Sequence, residues 1–271
     1  MKTKNYILIL ICLIMAPINA GFAEKTSNSK IKEETVMYTV GNTVYKGYLA
    51  YDENLKGIRP GVLVVHEWWG LNDYPKMRAR KLAELGYIAL AVDMFGNGKI
   101  ATNPKDAMAF TAPFYNNPQL AKSNLDAALA KIKEYKQTDP ANIFAIGYCF
   151  GGGVVLNYAK MGGDVKGVVS FHGGLKGVAP DKDLLKAKIL VCQGGSDKYS
   201  PEADQNMFKH QMDSIGATYS FISYPGAMHA FSNPAATELG KKFNLPIEYN
   251  VAADVNSWND MKKFLSSLIT K

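Results

Sequence analysis

The sequence predicts an α/β fold: a mostly parallel central sheet flanked by helices, with an N-terminal β-hairpin. Three observations carry that expectation. Strand-like apolar runs alternate with longer stretches of helical periodicity along most of the chain, the pattern of βαβ units. The two opening strand-like segments, 36–40 and 43–50, flank Gly41-Asn42, a pair suited to a tight hairpin turn. No internal repeat or low-complexity linker interrupts the order.

The elements follow in sequence. Residues 61–66 (G-V-L-V-V-H) form the first buried strand, and a helix at about 74–85 is closed by Gly86, which suits a left-handed C-cap. Residues 88–92 are the next strand. The stretch 103–135 exceeds one crossover helix, and Leu125, Leu129 and Ile132 give it a core-facing stripe. A strand at 142–146 feeds a helix at 150–160. Three more strands are expected at 165–171, 188–192 and 218–223, with helices at 201–215 and 251–268. In the last helix Trp258, Met261, Leu265 and Leu268 share one apolar face.

Length and composition bound the rest. The chain has 271 residues, 47% hydrophobic and 20% charged, enough for one large soluble domain. Lys2 and Lys4 precede an apolar run over 6–16, and small residues follow at Ala20 and Ala23. That order is a secretory signal, too short for a membrane span. Residues 1–23 are therefore expected to be a leader, 24–34 a loose polar lead-in, and 35–271 the folded domain. Export to the periplasm or the medium follows, with no stable membrane anchor.

The formal charge of +7 comes largely from scattered lysines such as Lys131, Lys133 and Lys136. No arginine cluster or aromatic–basic stripe accompanies them, so nucleic-acid binding is not expected. No His/Cys/Asp spacing resembles a ligand set; neither a metal nor an organic cofactor is expected. Two cysteines remain beyond the leader, Cys149 and Cys192. Both fall at strand ends of a parallel sheet, and no disulfide between them is expected.

The chemistry centres on Gly147-Tyr148-Cys149-Phe150-Gly151-Gly152, where a strand ends and a helix begins. A nucleophile on so sharp a turn needs small residues two before and two after it. Gly147 and Gly151 meet that demand, giving the nucleophile elbow of the α/β-hydrolase fold with cysteine in place of serine. The helix N-terminus aims N–H groups at the sulfur and favours its thiolate. The base must follow the nucleophile and an acid in that fold's chain order. His229, in the loop after the last strand, fits; His66 and His172 end buried strands, and His210 lies on a polar helix. Asp197 ends the Gly194-Gly195-Ser196 turn after a strand and would orient the imidazole. Asp93 is the competing acid but precedes the nucleophile. The backbone N–H groups of Trp68 and Phe150 are the expected oxyanion donors, each contributing about 3 kcal/mol to the transition state.

With these residues in place, the sequence resembles the dienelactone hydrolases of the α/β-hydrolase superfamily. The resemblance spans about 35–268. Its carriers are H-E-W-W-G, V-D-M-F-G, G-Y-C-F-G-G, the G-S-D turn and H-A-F. It implies that Glu67, after the first buried strand, contacts the nucleophilic thiol and helps control its ionisation. It also implies arginines that hold a substrate carboxylate, and here the sequence departs. The corresponding stretches read Met94-Phe95-Gly96-Asn97-Gly98-Lys99 and Ala230-Phe231-Ser232-Asn233, while the only arginines are Arg59, Arg78 and Arg80.

The expected activity is cysteine-dependent hydrolysis of a small ester or lactone through a thioester acyl-enzyme, by a monomer or small homo-oligomer. The alternatives are a redox-sensing or non-catalytic thiol protein on the same fold, and a hydrolase of an amide or thioester. Trp69, Phe95, Tyr148 and Phe231 are the aromatic candidates for the substrate pocket, with Lys99 and Lys198 as the nearest positive charges in sequence.

Overall fold

The computed structural model describes residues 29–269; the expected leader and residues 24–28 lie outside them. The hairpin forms as β1 (Ile31–Val40) and β2 (Thr43–Asp52). Gly41 supplies the positive φ, 54°, that a two-residue hairpin turn requires. One boundary differs from expectation. β1 starts at Ile31, inside the expected lead-in, and pairs residue for residue from Ile31–Asp52 onward. Its charged residues had the look of a loop, but β1 is a sheet edge, where outward charges blunt unwanted pairing.

The remaining strands are β3 (Arg59–Val65), β4 (Ile88–Val92), β5 (Thr138–Tyr148), β6 (Gly167–Phe171), β7 (Lys188–Gly194) and β8 (Tyr219–Tyr224). The sheet order is β1-β2-β4-β3-β5-β6-β7-β8. Pairing is antiparallel at β1–β2 and β2–β4 and parallel from β4 through β8. Every residue of β4 and β6 is buried, as strands covered on both faces must be.

The helices are α1 (Asp73–Glu84), α2 (Pro104–Asn116), α3 (Pro118–Lys133), α4 (Phe150–Lys160), α5 (Glu202–Ser214), α6 (Ala236–Phe243) and α7 (Val251–Leu268). The long stretch before β5 breaks at Asn117-Pro118. Pro118 opens α3 without an N–H to lose, and the Asn117 side chain caps it through Gln119 N. One core places Leu125, Leu129 and Ile132 of α3 with Val155 of α4 and Phe208 of α5. The other places Leu82 of α1 with Met261 and Leu265 of α7. Helices thus close both faces of the sheet, and the architecture is the α/β-hydrolase fold.

Parallel strands carry their C-terminal ends to one rim of the sheet. His66, Asp93, Cys149, His172 and Asp197 all follow strand ends there, so residues far apart in sequence converge at that rim.

Candidate active site

The turn from β5 into α4 puts Cys149 at φ 53°, ψ −113°, a region costly for any residue with a Cβ. The two flanking glycines are obligatory. A Cβ on Gly147 would lie 2.0 Å from Gly151 O, and one on Gly151 would lie 2.4 Å from Val65 O. Gly151 N in turn donates to His66 O at 3.1 Å, tying the helix start to the loop after β3. The first amides of a helix have no partner within it, and Phe150 and Trp68 both border the cavity in front of the sulfur.

The three expected catalytic side chains are in register. His229 Nε2 lies 3.0 Å from Cys149 Sγ, and His229 Nδ1 lies 2.9 Å from Asp197 Oδ2. Asp197 is held by Gln193 Nε2, which donates to Oδ2 at 2.7 Å, and by Tyr199 N, which donates to Oδ1 at 2.8 Å. The Tyr199 ring stands edge-on to His229, with centroids 4.9 Å apart. Burial, the largest influence on the His229 imidazole, lowers its pKa. The neighbouring Cys149 and the hydrogen bond with Asp197 outweigh it and raise the pKa to about 10. An imidazole held at both nitrogens beside the sulfur is placed to carry a proton and release it to a leaving group.

Asp93 is excluded as the acid by its own bonds. Its carboxylate accepts N–H groups of Phe95, Gly96, Gly98 and Lys46, which organise the turn after β4. His66 is also structural, accepting Met94 N at Nε2. His210 is exposed on α5.

Glu67 differs from what the resemblance implies. The thiol bonds to His229, while Glu67 Oε2 accepts from Asn233 Nδ2 at 2.6 Å. Asn233 supplies a neutral amide donor that a buried carboxyl needs, and no hydrogen bond joins Glu67 to Cys149 among the described residues. Glu67 Oε1 is buried without a partner, though the residue borders the same cavity as Cys149. Burial pushes this carboxyl up from 4.5 to about 7, partly offset by the Asn233 bond and the positive charges of His229 and Arg78. Between those two pH values the folded chain binds more protons here than the unfolded one, so this group's contribution to stability falls as pH rises. The loss is on the order of 3 kcal/mol across the window. Glu67→Gln should therefore gain stability over wild type as pH climbs from 5 to 8 in parallel denaturation series. A constant difference between the two would contradict the buried, uncompensated carboxyl.

The cavity measures about 340 Å³. Of the four aromatic candidates only Trp69 borders it. Tyr148 precedes the nucleophile within the strand and points the other way, stacking on Phe171 behind the sheet rim. Phe95 packs under the site against His66 and Phe150, and Phe231 packs against His172 and Tyr224. The walls come instead from Met108, Thr111 and Tyr115 of α2, Leu239 of α6, and Leu245 and Ile247 after it. α6 has only Leu239 and Phe243 as an apolar pair, too little periodicity to announce a helix. Lys99 and Lys198 are exposed and do not border the cavity. No cluster of metal-ligating side chains occurs among the described residues.

Among the described residues both cysteines, Cys149 and Cys192, are free. Cys192 is fully buried on β7, and burial pushes its thiol up to about 12. Cys149 opens on the cavity. Iodoacetamide on the native protein should label Cys149 first, with turnover falling in step. Faster labelling of Cys192, or full activity with Cys149 blocked, would rule out the assignment.

Comparison with known proteins agrees with this architecture. Residues 45–269 match the model of the dienelactone hydrolase family. A Methylorubrum extorquens protein named "Putative carboxymethylenebutenolidase" is 34% identical over 187 residues, 64% of this chain and 63% of that protein. Protein usf of Aquifex pyrophilus is 26% identical over 83% of this chain and 94% of its own. Among solved structures, a dienelactone hydrolase-like promiscuous phosphotriesterase from metagenomic libraries superposes with a TM-score of 0.84. It is 30% identical, over 90% of this chain and 100% of that one. The elbow, the strand order and the matched span together make this chain a hydrolase of the dienelactone hydrolase family.

Proposed function

We propose that the protein is a cysteine-dependent hydrolase of neutral esters or lactones. The observation that carries this reading is the continuous relay Cys149 Sγ–His229–Asp197, at 3.0 and 2.9 Å, opening on a cavity. The thiolate of Cys149 attacks the substrate carbonyl, and the backbone N–H groups of Phe150 and Trp68 take the charge that develops on its oxygen. His229 delivers its proton to the departing alkoxide as the C–O bond breaks, leaving a thioester. Water then loses a proton to His229 and attacks the thioester, releasing the acid and restoring the thiolate. Asp197 keeps the imidazole in the tautomer that both steps need. No step requires a metal or organic cofactor.

The cavity supports a neutral substrate. No lysine or arginine borders it, whereas Glu67 and Asp197 do. A carboxylate there would face acids without the bidentate guanidinium that recognises it. A lactone lacking a free carboxylate should exceed its carboxylate-bearing analogue by at least about tenfold in kcat/KM, roughly 1.4 kcal/mol. The pair should be compared at fixed ionic strength. If the carboxylate-bearing lactone is the better substrate, the neutral-substrate reading fails.

The basic start, apolar run and small residues of 1–23 support export of the mature enzyme to the periplasm or medium. Cell fractionation that finds uncleaved precursor in the cytoplasm overturns that part.

A further inference from the structure

Behind the nucleophile lies a buried polar chain that the hydrolytic steps do not use. His172 follows β6, is fully buried, and holds φ at 41°. Such strain in a residue with a Cβ persists only where its surroundings over-determine it. Its backbone N–H donates to Cys192 O at 2.8 Å. Its Nδ1 accepts the backbone N–H of Cys149 at 3.1 Å, a hydrogen shared with Phe171 O at 3.0 Å.

An accepting Nδ1 carries no proton, so the hydrogen of the neutral ring resides on Nε2. Nε2 lies 2.7 Å from Ser232 Oγ, which lies 2.7 Å from the Tyr74 hydroxyl. Arg78 Nε donates to that hydroxyl at 3.3 Å, and Arg78 is anchored on Asp254. The His172 ring is thus held at both nitrogens. It also meets His229 edge-on with centroids 5.3 Å apart, and Phe231 at 5.1 Å. The charged groups facing it, His229 and Arg78, are both positive. With burial first and those charges after it, the imidazole's pKa is held well below 6.5.

We propose that His172 is a positioning residue for the nucleophile: its neutral imidazole fixes the Cys149 amide, and so the strained elbow, with Sγ toward His229 and Phe150 N–H toward the carbonyl oxygen. The inference rests on the cysteine-hydrolase reading. Phe171 O merely continues the β5–β6 ladder, and one acceptor leaves the Cys149 peptide free to rock. A second acceptor from a rigid ring removes that freedom, and it bears on the nucleophile and the base at once.

The test is kinetic, with kcat expressed per iodoacetamide-reactive Cys149 thiol in the folded, size-fractionated enzyme, because unfolded chains expose both cysteines to the reagent and are removed first. His172→Phe keeps a ring and removes the acceptor; kcat should fall about a hundredfold, the scale of a small misplacement of reacting groups. KM should stay within about threefold, since ground-state binding is untouched. His172→Asn places Oδ1 the same number of bonds from the backbone as Nδ1, and should recover kcat to within about tenfold of wild type. A purely structural role would lower the folded fraction of both variants and leave kcat per thiol unchanged. If His172→Phe does not fold, His172→Asn and Ser232→Ala carry the test. Ser232→Ala frees the ring at Nε2 and should lower kcat. Unchanged kcat per thiol in the folded variants, or an Asn variant no better than Phe, overturns the proposal. Cys149→Ala separates the two ideas. If it stays active, the nucleophile assignment fails; if it is dead while His172→Phe is unimpaired, only the positioning role does.

Discussion

Cys149→Ala is expected to leave no turnover distinguishable from a blank across a panel of activated esters and lactones. The expected loss is on the order of a millionfold in kcat, the scale on which removal of a nucleophile acts when base and oxyanion donors remain. The fold should survive. Alanine at φ 53° meets the same backbone penalty as cysteine, so the strain is unchanged by the substitution. The sulfur is half-buried and its hydrogen bond goes to His229, so little packing is lost. Circular dichroism and the melting curve should match wild type while steady-state rates collapse. Retained ester turnover would mean another nucleophile. Stoichiometric labelling of Cys149 in a wild type that turns over no ester would favour a redox-sensing thiol instead.

Asp197→Asn is the second large effect expected, a fall in kcat of about 10⁴ with the fold intact. When the new amide turns its oxygen toward the Tyr199 N–H, it presents NH₂ where Oδ2 met Gln193 Nε2 and His229 Nδ1. Two donors cannot face each other, so the ring adopts the tautomer with its hydrogen on Nε2, pointing at the sulfur. The base is lost at the position where it acts. Asp93→Asn is the matched control. Its carboxylate serves four backbone N–H groups, so the amide should lower the melting temperature and leave kcat of the folded enzyme near wild type. Were the two kinetic effects reversed, the acid would have to be reassigned.

The contrast between these carboxylates shows what the sequence could reveal. Chain order and the small residues around Cys149 sufficed to pick out three side chains that meet in the fold, Cys149, His229 and Asp197, because an elbow and its partners obey hard steric and topological rules. The hairpin was legible for the same reason, at Gly41-Asn42. The cavity walls were not. Tyr148 and Phe231 neighbour proposed site residues in sequence and Phe95 follows Asp93, yet strand alternation and the turns after Asp93 and His229 send their rings elsewhere. Tyr115 and Ile247 stand far from any motif and reach the cavity through α2 and the segment after α6. No local pattern marks such residues, since their place depends on how whole connections fold back over the rim. The start of β1 was hidden differently. A charged edge strand satisfies its backbone against β2 while its side chains imitate a loop.

The division between rim and wall has a consequence for engineering this enzyme. Cys149, Asp197 and His229 sit on strand ends or the turns just after them, held by the buried sheet, whereas Met108, Tyr115 and Leu239 are carried on separate helical connections. Met108 and Tyr115 are also exposed, so their replacement disturbs little packing. Libraries confined to these three positions should diversify the accepted acyl and leaving groups while most members still express and keep their catalytic geometry. Random mutation spread over the strand ends would instead destroy function in most members. A fold arranged this way lets selectivity drift through its connections long before the reaction itself is touched.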